Sequence, residues 1–198
     1  NPNPNPNPKV NVDADGDRHF AGFGARPVSS ADFADTAPNP DLEPDAAAVV
    51  AAADVLLTGT LGLAAPKSAG FARRAAAAAR RAGRDVMVDV NWRPVFWDGA
   101  EAAARDTILK YVRDTATMVK VTDEEAAWLF PDEISPEAAL EAPERLLGDD
   151  FFPGAELVLV TAGEYGSAGA RRGGARGDRQ AAFGVDAGGA TGAGGGLS

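Results

Sequence analysis

Apolar residues recur along this chain in short blocks set apart by stretches of helical length, and that spacing predicts strands alternating with helices. The runs Asp54–Gly59, Val86–Val90, Thr117–Val121 and Leu157–Thr161 each have the length and apolar character of a buried strand. Between the first two, Pro66 stands in the first turn of a helix that reaches about Ala82, where Gly83 stops it. With roughly 25 residues between the strands at 54 and 86, the connection is a crossover and the pairing parallel. Ala100–Asp114 reads as a second helix, with Ile108, Leu109 and Val112 on one face. Asp45 is the expected cap of an alanine-rich helix to about Ala53, and Ser135–Leu147 the expected last helix, bent at Pro143. Ser167–Arg171 and Gln180–Val185 suit two antiparallel edge strands.

The ends of the chain read differently. Residues 1–8 are Asn-Pro four times, a low-complexity, polyproline-like tail. Val10–Asp13 and His19–Phe23 flank Asp13-Ala-Asp-Gly-Asp17, in which Asp15-Gly16 signals a hairpin turn. The alternating Asp13, Asp15 and Asp17 suggest a calcium loop, but no glutamate closes it at the required spacing. Pro27–Pro44 is polar and reads as loop.

Composition narrows the function classes. The 198 residues suffice for one domain with a real core, and 45% hydrophobic content is that of a globular protein. Twenty-nine acidic residues against 19 basic ones give a net charge of −10, which argues against a nucleic-acid partner. The absence of cysteine excludes disulfides and thiolate metal sites, and the single histidine, His19, excludes a histidine-rich one. His19 reads as a surface residue rather than a catalytic one. No apolar run approaches the ~20 residues of a membrane span. No signal or transit peptide is visible, and a soluble protein is expected.

The candidate chemistry centres on Asp85–Trp97. An apolar strand there opens into Asp89, Asn91 and Arg93 before Pro94 ends the pattern. Ligands of open α/β sheets sit at the carboxyl ends of strands, and the forked guanidinium of Arg93 suits a phosphate. Equally open is a structural Asp89–Arg93 ion pair with the tryptophans as packing. Further on, Thr122 and Glu125 have the spacing of a capping box. Thr161-Ala-Gly163-Glu-Tyr-Gly166 is a glycine turn after a strand.

Val88-Asp89-Val90-Asn91-Trp92-Arg93-Pro94-Val95-Phe96-Trp97 resembles the D-x-N-x-R segment of the PfkB/ribokinase family of sugar kinases, nearest the fructokinase-like branch of cyanobacteria and plastids. Gly16–Gly24 resembles a strand pair near the sugar site of fructokinase-like proteins. Thr161–Gly166 resembles the family's T-x-G-x-x-G, and Glu125 the glutamate of its N-x-x-E, with Thr122 where the asparagine would stand. The resemblance implies an α/β, ribokinase-like three-layer sandwich with a mostly parallel central sheet and part of a small β lid. It implies a tail at 1–8 and an incomplete kinase domain at 9–198, with lid-proximal strands 9–24 and an α/β core 45–198. It also implies ATP and Mg²⁺ as cofactors. Asp89, Asn91 and Arg93 would then bind substrate and phosphate; Thr161, Gly163 and Gly166 would bind nucleotide; and Glu125 would hold magnesium through water.

The resemblance breaks at the carboxyl end. The family's V-D-T-T-G-A-G-D-A-F is met here by Gly188-Gly-Ala-Thr-Gly192-Ala193-Gly194-Gly195-Gly196-Leu197. Gly192, Ala193 and Gly194 match the amides that form the anion hole. Gly195 stands where the family has its aspartate base and cannot accept a proton. A general base supplies on the order of 10² to 10⁴ in rate, so an impaired fructokinase-like enzyme acting on sugar and ATP is expected. The alternatives are a non-catalytic kinase-fold subunit of a larger, plastid assembly, and a partial or misread sequence in the Gly188–Gly196 run. A homodimer or a complex subunit, located in plastid or cytoplasm, would suit these readings. The family's sugar-binding amino-terminal strands and its closing helices have no counterpart in the sequence, which predicts apolar faces left uncovered.

Overall fold

A computed structural model describes residues 8–12, 18–23, 43–174 and 177–183. The first two segments are strands β1 (Pro8–Val12) and β2 (Arg18–Phe23), paired antiparallel with an irregularity at Lys9/Val10. The Asp13–Asp17 turn, and with it the calcium reading, lies outside the described residues, as does most of the 27–44 loop.

The remaining elements form one sheet with helices: α1 (Glu43–Ala52), β3 (Val55–Gly59), α2 (Pro66–Arg81), β4 (Asp85–Asp89), α3 (Glu101–Thr115), β5 (Met118–Thr122), α4 (Asp123–Leu129), α5 (Pro136–Glu141), β6 (Leu157–Thr161), β7 (Ser167–Arg171) and β8 (Asp178–Gln180). The sheet order is β3-β4-β5-β6-β7-β8, the first four strands parallel and the last two joined antiparallel. This is the mostly parallel, ribokinase-like α/β sheet expected from the sequence.

Burial alternates along the strands, as the pleat requires. Val86, Val88, Val119, Val121, Val158 and Val160 are fully buried and join Ile108, Tyr111, Leu129 and Phe152 in the core. Burial pushes the Tyr111 hydroxyl above its usual pKa, although it donates to Thr58 Oγ1. The opposite face carries Leu57, Met87, Met118 and Leu157 in one continuous row. Leu57 there is 66% exposed, so among the described residues this apolar face lacks the cover that the valine face has.

Several elements follow directly from their sequence signals. Pro66 is the first residue of α2, where its missing N–H costs nothing. The helix ends in a Schellman motif, with Arg84 N–H donating to Ala79 O and Gly83 N–H to Arg80 O. Leu157–Thr161 and Ser167–Arg171 are strands with the expected boundaries.

Other expectations need correction. The alanine-rich helix starts at Glu43 rather than being capped by Asp45, because Pro44 is tolerated in a first helical turn. The third core strand runs one residue later than expected, Met118–Thr122, with Thr117 leading into it through its own backbone, its N–H donating to Val86 O and its carbonyl accepting from Glu156 N–H. Pro143 breaks the last helix instead of bending it: α5 stops at Glu141, Ala142 leaves the helical region, and a 3-10 turn covers Pro143–Leu147. The final strand is Asp178–Gln180, with residues 184–185 outside the described chain.

Candidate functional site at the carboxyl ends of the strands

Because β3 to β6 are parallel, their carboxyl ends share one edge. Thr60, Asn91–Arg93, Thr122 and Thr161 follow or close those strands. β7 begins at this edge, opposite Thr161, and β8 returns to it. Three of the predicted groups, Asp89/Asn91/Arg93, Glu125 and Thr161/Gly163/Gly166, therefore come together by topology alone. Gly192, Ala193, Gly194 and Gly195 lie outside the described residues.

The β4 end is held from both sides. Thr60, fully buried, accepts the Asn91 N–H at 2.8 Å and donates its hydroxyl to the Asn91 carbonyl at 3.0 Å. From the β5 side, Glu125 Oε1 accepts the Trp92 N–H at 2.8 Å. The other carboxylate oxygen accepts the Thr122 N–H at 3.1 Å, while Thr122 Oγ1 accepts the Glu125 N–H at 3.0 Å. The capping box foreseen in the sequence is thus present, and its glutamate also ties α4 to the end of β4. Glu125 is 8% exposed.

The predicted trio divides in the structure. Asp89 does not pair with Arg93. Its register partner on β5 is Lys120, whose Nζ lies 3.0 Å from Asp89 Oδ1. Asp89 is therefore ion-paired across the two strands rather than within its own segment. Asn91 Oδ1 is buried and unpartnered. Arg93 donates from Nη1 to the carbonyl of Trp92 at 2.6 Å, and no carboxylate among the described residues pairs with it. Trp92 stacks on Trp128 at 4.3 Å and 16°, and Arg105 covers the Trp128 ring at 5.4 Å. Trp128 Nε1 donates to Glu101 Oε1 at 2.7 Å. Of the tryptophans in the Asp85–Trp97 stretch, Trp92 packs on Trp128 beside the strand end, and both Trp92 and Trp97 lie partly buried against the core.

Thr161–Gly166 folds back on itself. Ala162 N–H donates to Gly166 O at 2.8 Å and Tyr165 N–H to Ala162 O at 2.8 Å. Gly166 has φ +91, and a Cβ there would overlap the backbone of Gln180–Ala182. Only glycine suits that position. Its observed role is to let residues 180–182 pass against the turn. An open groove of about 520 Å³, bordered by Lys120, Leu159, Thr161, Ser167 and Gln180, leads along the uncovered face to this turn.

The residues fit a magnesium ion carried by phosphates, not a dedicated metal cage. No group of three histidine, cysteine or acidic residues that could hold a metal occurs among the described residues. Magnesium bound with a nucleotide needs only one or two carboxylates, and keeps water and phosphate oxygens as its other ligands. Each Glu125 oxygen has one backbone N–H, which leaves acceptor capacity for water. The unpartnered Asn91 amide oxygen and the Arg93 fork fit a polar ligand at the same edge.

Sequence reading missed Thr60, Lys120 and the Trp92–Trp128 stack. Thr60 alone left a signal, as a small hydroxyl residue directly after a strand-ending glycine.

Solved structures share this architecture. A PfkB protein from Polaromonas sp. JS666 superimposes with a TM-score of 0.58 at 26% identity, covering 89% of this chain and 53% of its own. A fructokinase from Xylella fastidiosa gives 0.57 at 20% identity, with coverages of 90% and 50%. An uncharacterized sugar kinase from Pyrococcus horikoshii, in complex with ATP, gives 0.56 at 16%, with 89% and 49%. The chain spans about half the length of the solved structures it matches. None of the curated proteins matches it. The pattern of the pfkB family of carbohydrate kinases matches residues 21–195, and the chain belongs to that family.

Proposed function

We propose that this chain carries the nucleotide and phosphate side of an ATP-dependent carbohydrate kinase of fructokinase type, with phosphoryl transfer impaired by Gly195. The observation that supports it most is the convergence of Asn91–Arg93, Glu125 and Thr161–Gly166 on one strand edge in a pfkB-family chain. Arg93 would bind phosphate oxygens through its planar fork. Asn91 would donate from its amide NH2 to phosphate oxygens, its unpartnered oxygen accepting from a water or ligand hydroxyl, and Asp89 with Lys120 would border the same side. Thr161, Gly163 and Gly166 would lie against the nucleotide. Glu125 would orient water towards the metal while keeping Trp92 and Thr122 in place. Magnesium, when bound with ATP, neutralises charge on the phosphates. Gly192–Gly194 would supply amides to the transferring group, and Gly195 would leave the sugar hydroxyl without a proton acceptor.

Strands 9–24 would belong to the lid, and the branch would be the cyanobacterial or plastid one. Gly195 also favours a second reading, a non-catalytic kinase-fold subunit in a larger assembly. Mg-ATP titration followed by fructose phosphorylation assays of Gly195→Asp separates these readings. Binding by both chains, with phosphorylation raised at least about a hundredfold in the variant, is expected from restoring a general base. Binding without any gain in the variant would favour the non-catalytic subunit, and absence of nucleotide binding would overturn the kinase reading.

A further inference from the structure

Two threonines clasp β4, one at each end, in nearly the same way. At the amino end Thr117 Oγ1 accepts the Val86 N–H at 2.9 Å and donates to the Val86 carbonyl at 3.3 Å. At the carboxyl end Thr60 Oγ1 does both for Asn91, at 2.8 and 3.0 Å. Both threonines are buried, and each acts across 31 residues of sequence. They differ in what they hold. Val86 is a core valine inside the ladder, and its carbonyl also receives the Thr117 N–H at 2.9 Å. Asn91 lies two residues beyond the last ladder residue of β4, so a side chain does there what a neighbouring strand does elsewhere.

The next peptide is fixed from the other flank by Glu125 on Trp92 N–H. Two successive backbone units past the strand end are thus held by side chains from the residue after β3 and from α4. The Asn91 side-chain oxygen is left buried and without a partner. A hydroxyl has one proton to give and lone pairs to accept with. Thr60 uses both on one residue's backbone, which sets that residue's position while leaving its amide side chain uncommitted.

We infer that Thr60 is a positioning residue for the ligand-binding edge: it fixes the Asn91 backbone, and through it the placement of the Asn91 and Arg93 side chains, without touching ligand. The ligand half of this inference rests on the phosphate-binding reading of Asn91 and Arg93. Thr117, its twin at the opposite end of the same strand, makes the corresponding clasp with no ligand group to position.

The test uses the full chain as Thr60→Val, Thr60→Ser and Thr117→Val, read by residue-resolved amide exchange and by Mg-ATP titration. Valine keeps the shape and removes the hydroxyl. Thr60→Val should speed exchange at Asn91 by at least about tenfold and weaken Mg-ATP binding by about tenfold through lost pre-organisation. Thr60→Ser should restore both. Thr117→Val should speed exchange at Val86 and leave Mg-ATP binding within about twofold of the parent chain, because distant independent sites act separately. Equal weakening of Mg-ATP binding by the two valine variants would reduce Thr60 to a general stabiliser and overturn the inference. Unchanged Asn91 exchange in Thr60→Val would overturn its positional half whatever the titration shows. If the parent chain binds no Mg-ATP, the phosphate reading falls and takes the ligand half with it, while the Asn91 exchange rates still decide whether Thr60 sets that backbone.

Discussion

The two edges of the parallel sheet are finished in different ways. At the amino edge, arginines are committed to backbone carbonyls. Arg172 donates to Leu147 O at 2.6 Å, Pro153 O at 2.9 Å and Ala155 O at 3.0 Å. Arg113 donates to Phe151 O at 2.9 Å and also to Asp150 O. Together they pin the 148–156 connection ahead of β6. At the carboxyl edge the corresponding cation, Arg93, makes one bond to a neighbouring carbonyl, Asn91 Oδ1 lacks a hydrogen-bond partner, and Asp89 is ion-paired with Lys120. Buried polar groups are normally satisfied, so the unpartnered Asn91 oxygen supports the proposal that a ligand is held at this edge. That the edge is the carboxyl one agrees with the general placement of ligands in open α/β sheets.

Substitutions at matched positions sharpen this contrast. The largest stability loss should come from Glu125→Ala, which leaves the Trp92 and Thr122 N–H groups without their acceptor and removes the reciprocal half of the capping box. About 3 kcal/mol is expected from urea unfolding, with a changed tryptophan emission as Trp92 loosens from Trp128. Arg172→Ala should cost about 2–3 kcal/mol by the same measurement, since charged hydrogen bonds to several carbonyls are lost, and should leave Mg-ATP binding unchanged. Thr60→Val and Thr117→Val should each cost about 1–2 kcal/mol for a buried backbone donor left unpaired. Similar stability losses from that pair would make their difference in nucleotide binding interpretable. Arg93→Ala should be nearly silent in stability, within about 0.5 kcal/mol, yet weaken Mg-ATP binding at least about tenfold as a charged contact to phosphate is lost. A large stability loss from Arg93→Ala with intact binding would reverse the assigned roles of the two edges.

Much of this was legible in the sequence because it is local. The βαβ order, the Pro66 start and Gly83 stop, and the Thr122–Glu125 capping box each depend on residues within a few positions of one another. The boundaries of β6 and β7 follow from short runs bounded by turn residues. What escaped notice depends on strand register. Asp89 lies four residues from Arg93 in sequence but opposite Lys120 in the sheet, and only the register of β4 on β5 decides the pairing. The Thr60–Asn91 and Thr117–Val86 clasps, each spanning 31 residues, are invisible for the same reason. Helix α5 was overextended because the pattern of apolar residues continues through Pro143, while the missing N–H does not allow the helix to do so. Glycine at 166 was read as part of a nucleotide turn; its backbone contact with residues 180–182 gives it a packing reason that the sequence alone does not disclose.

The most direct measurement is residue-resolved amide exchange of the full chain with and without Mg-ATP. Protection gained at Asn91–Arg93 and through Thr161–Gly166, with the 148–156 connection unchanged, is the result expected if the carboxyl edge is the nucleotide edge. Protection confined to 148–156, or none at either edge at saturating Mg-ATP, would contradict it.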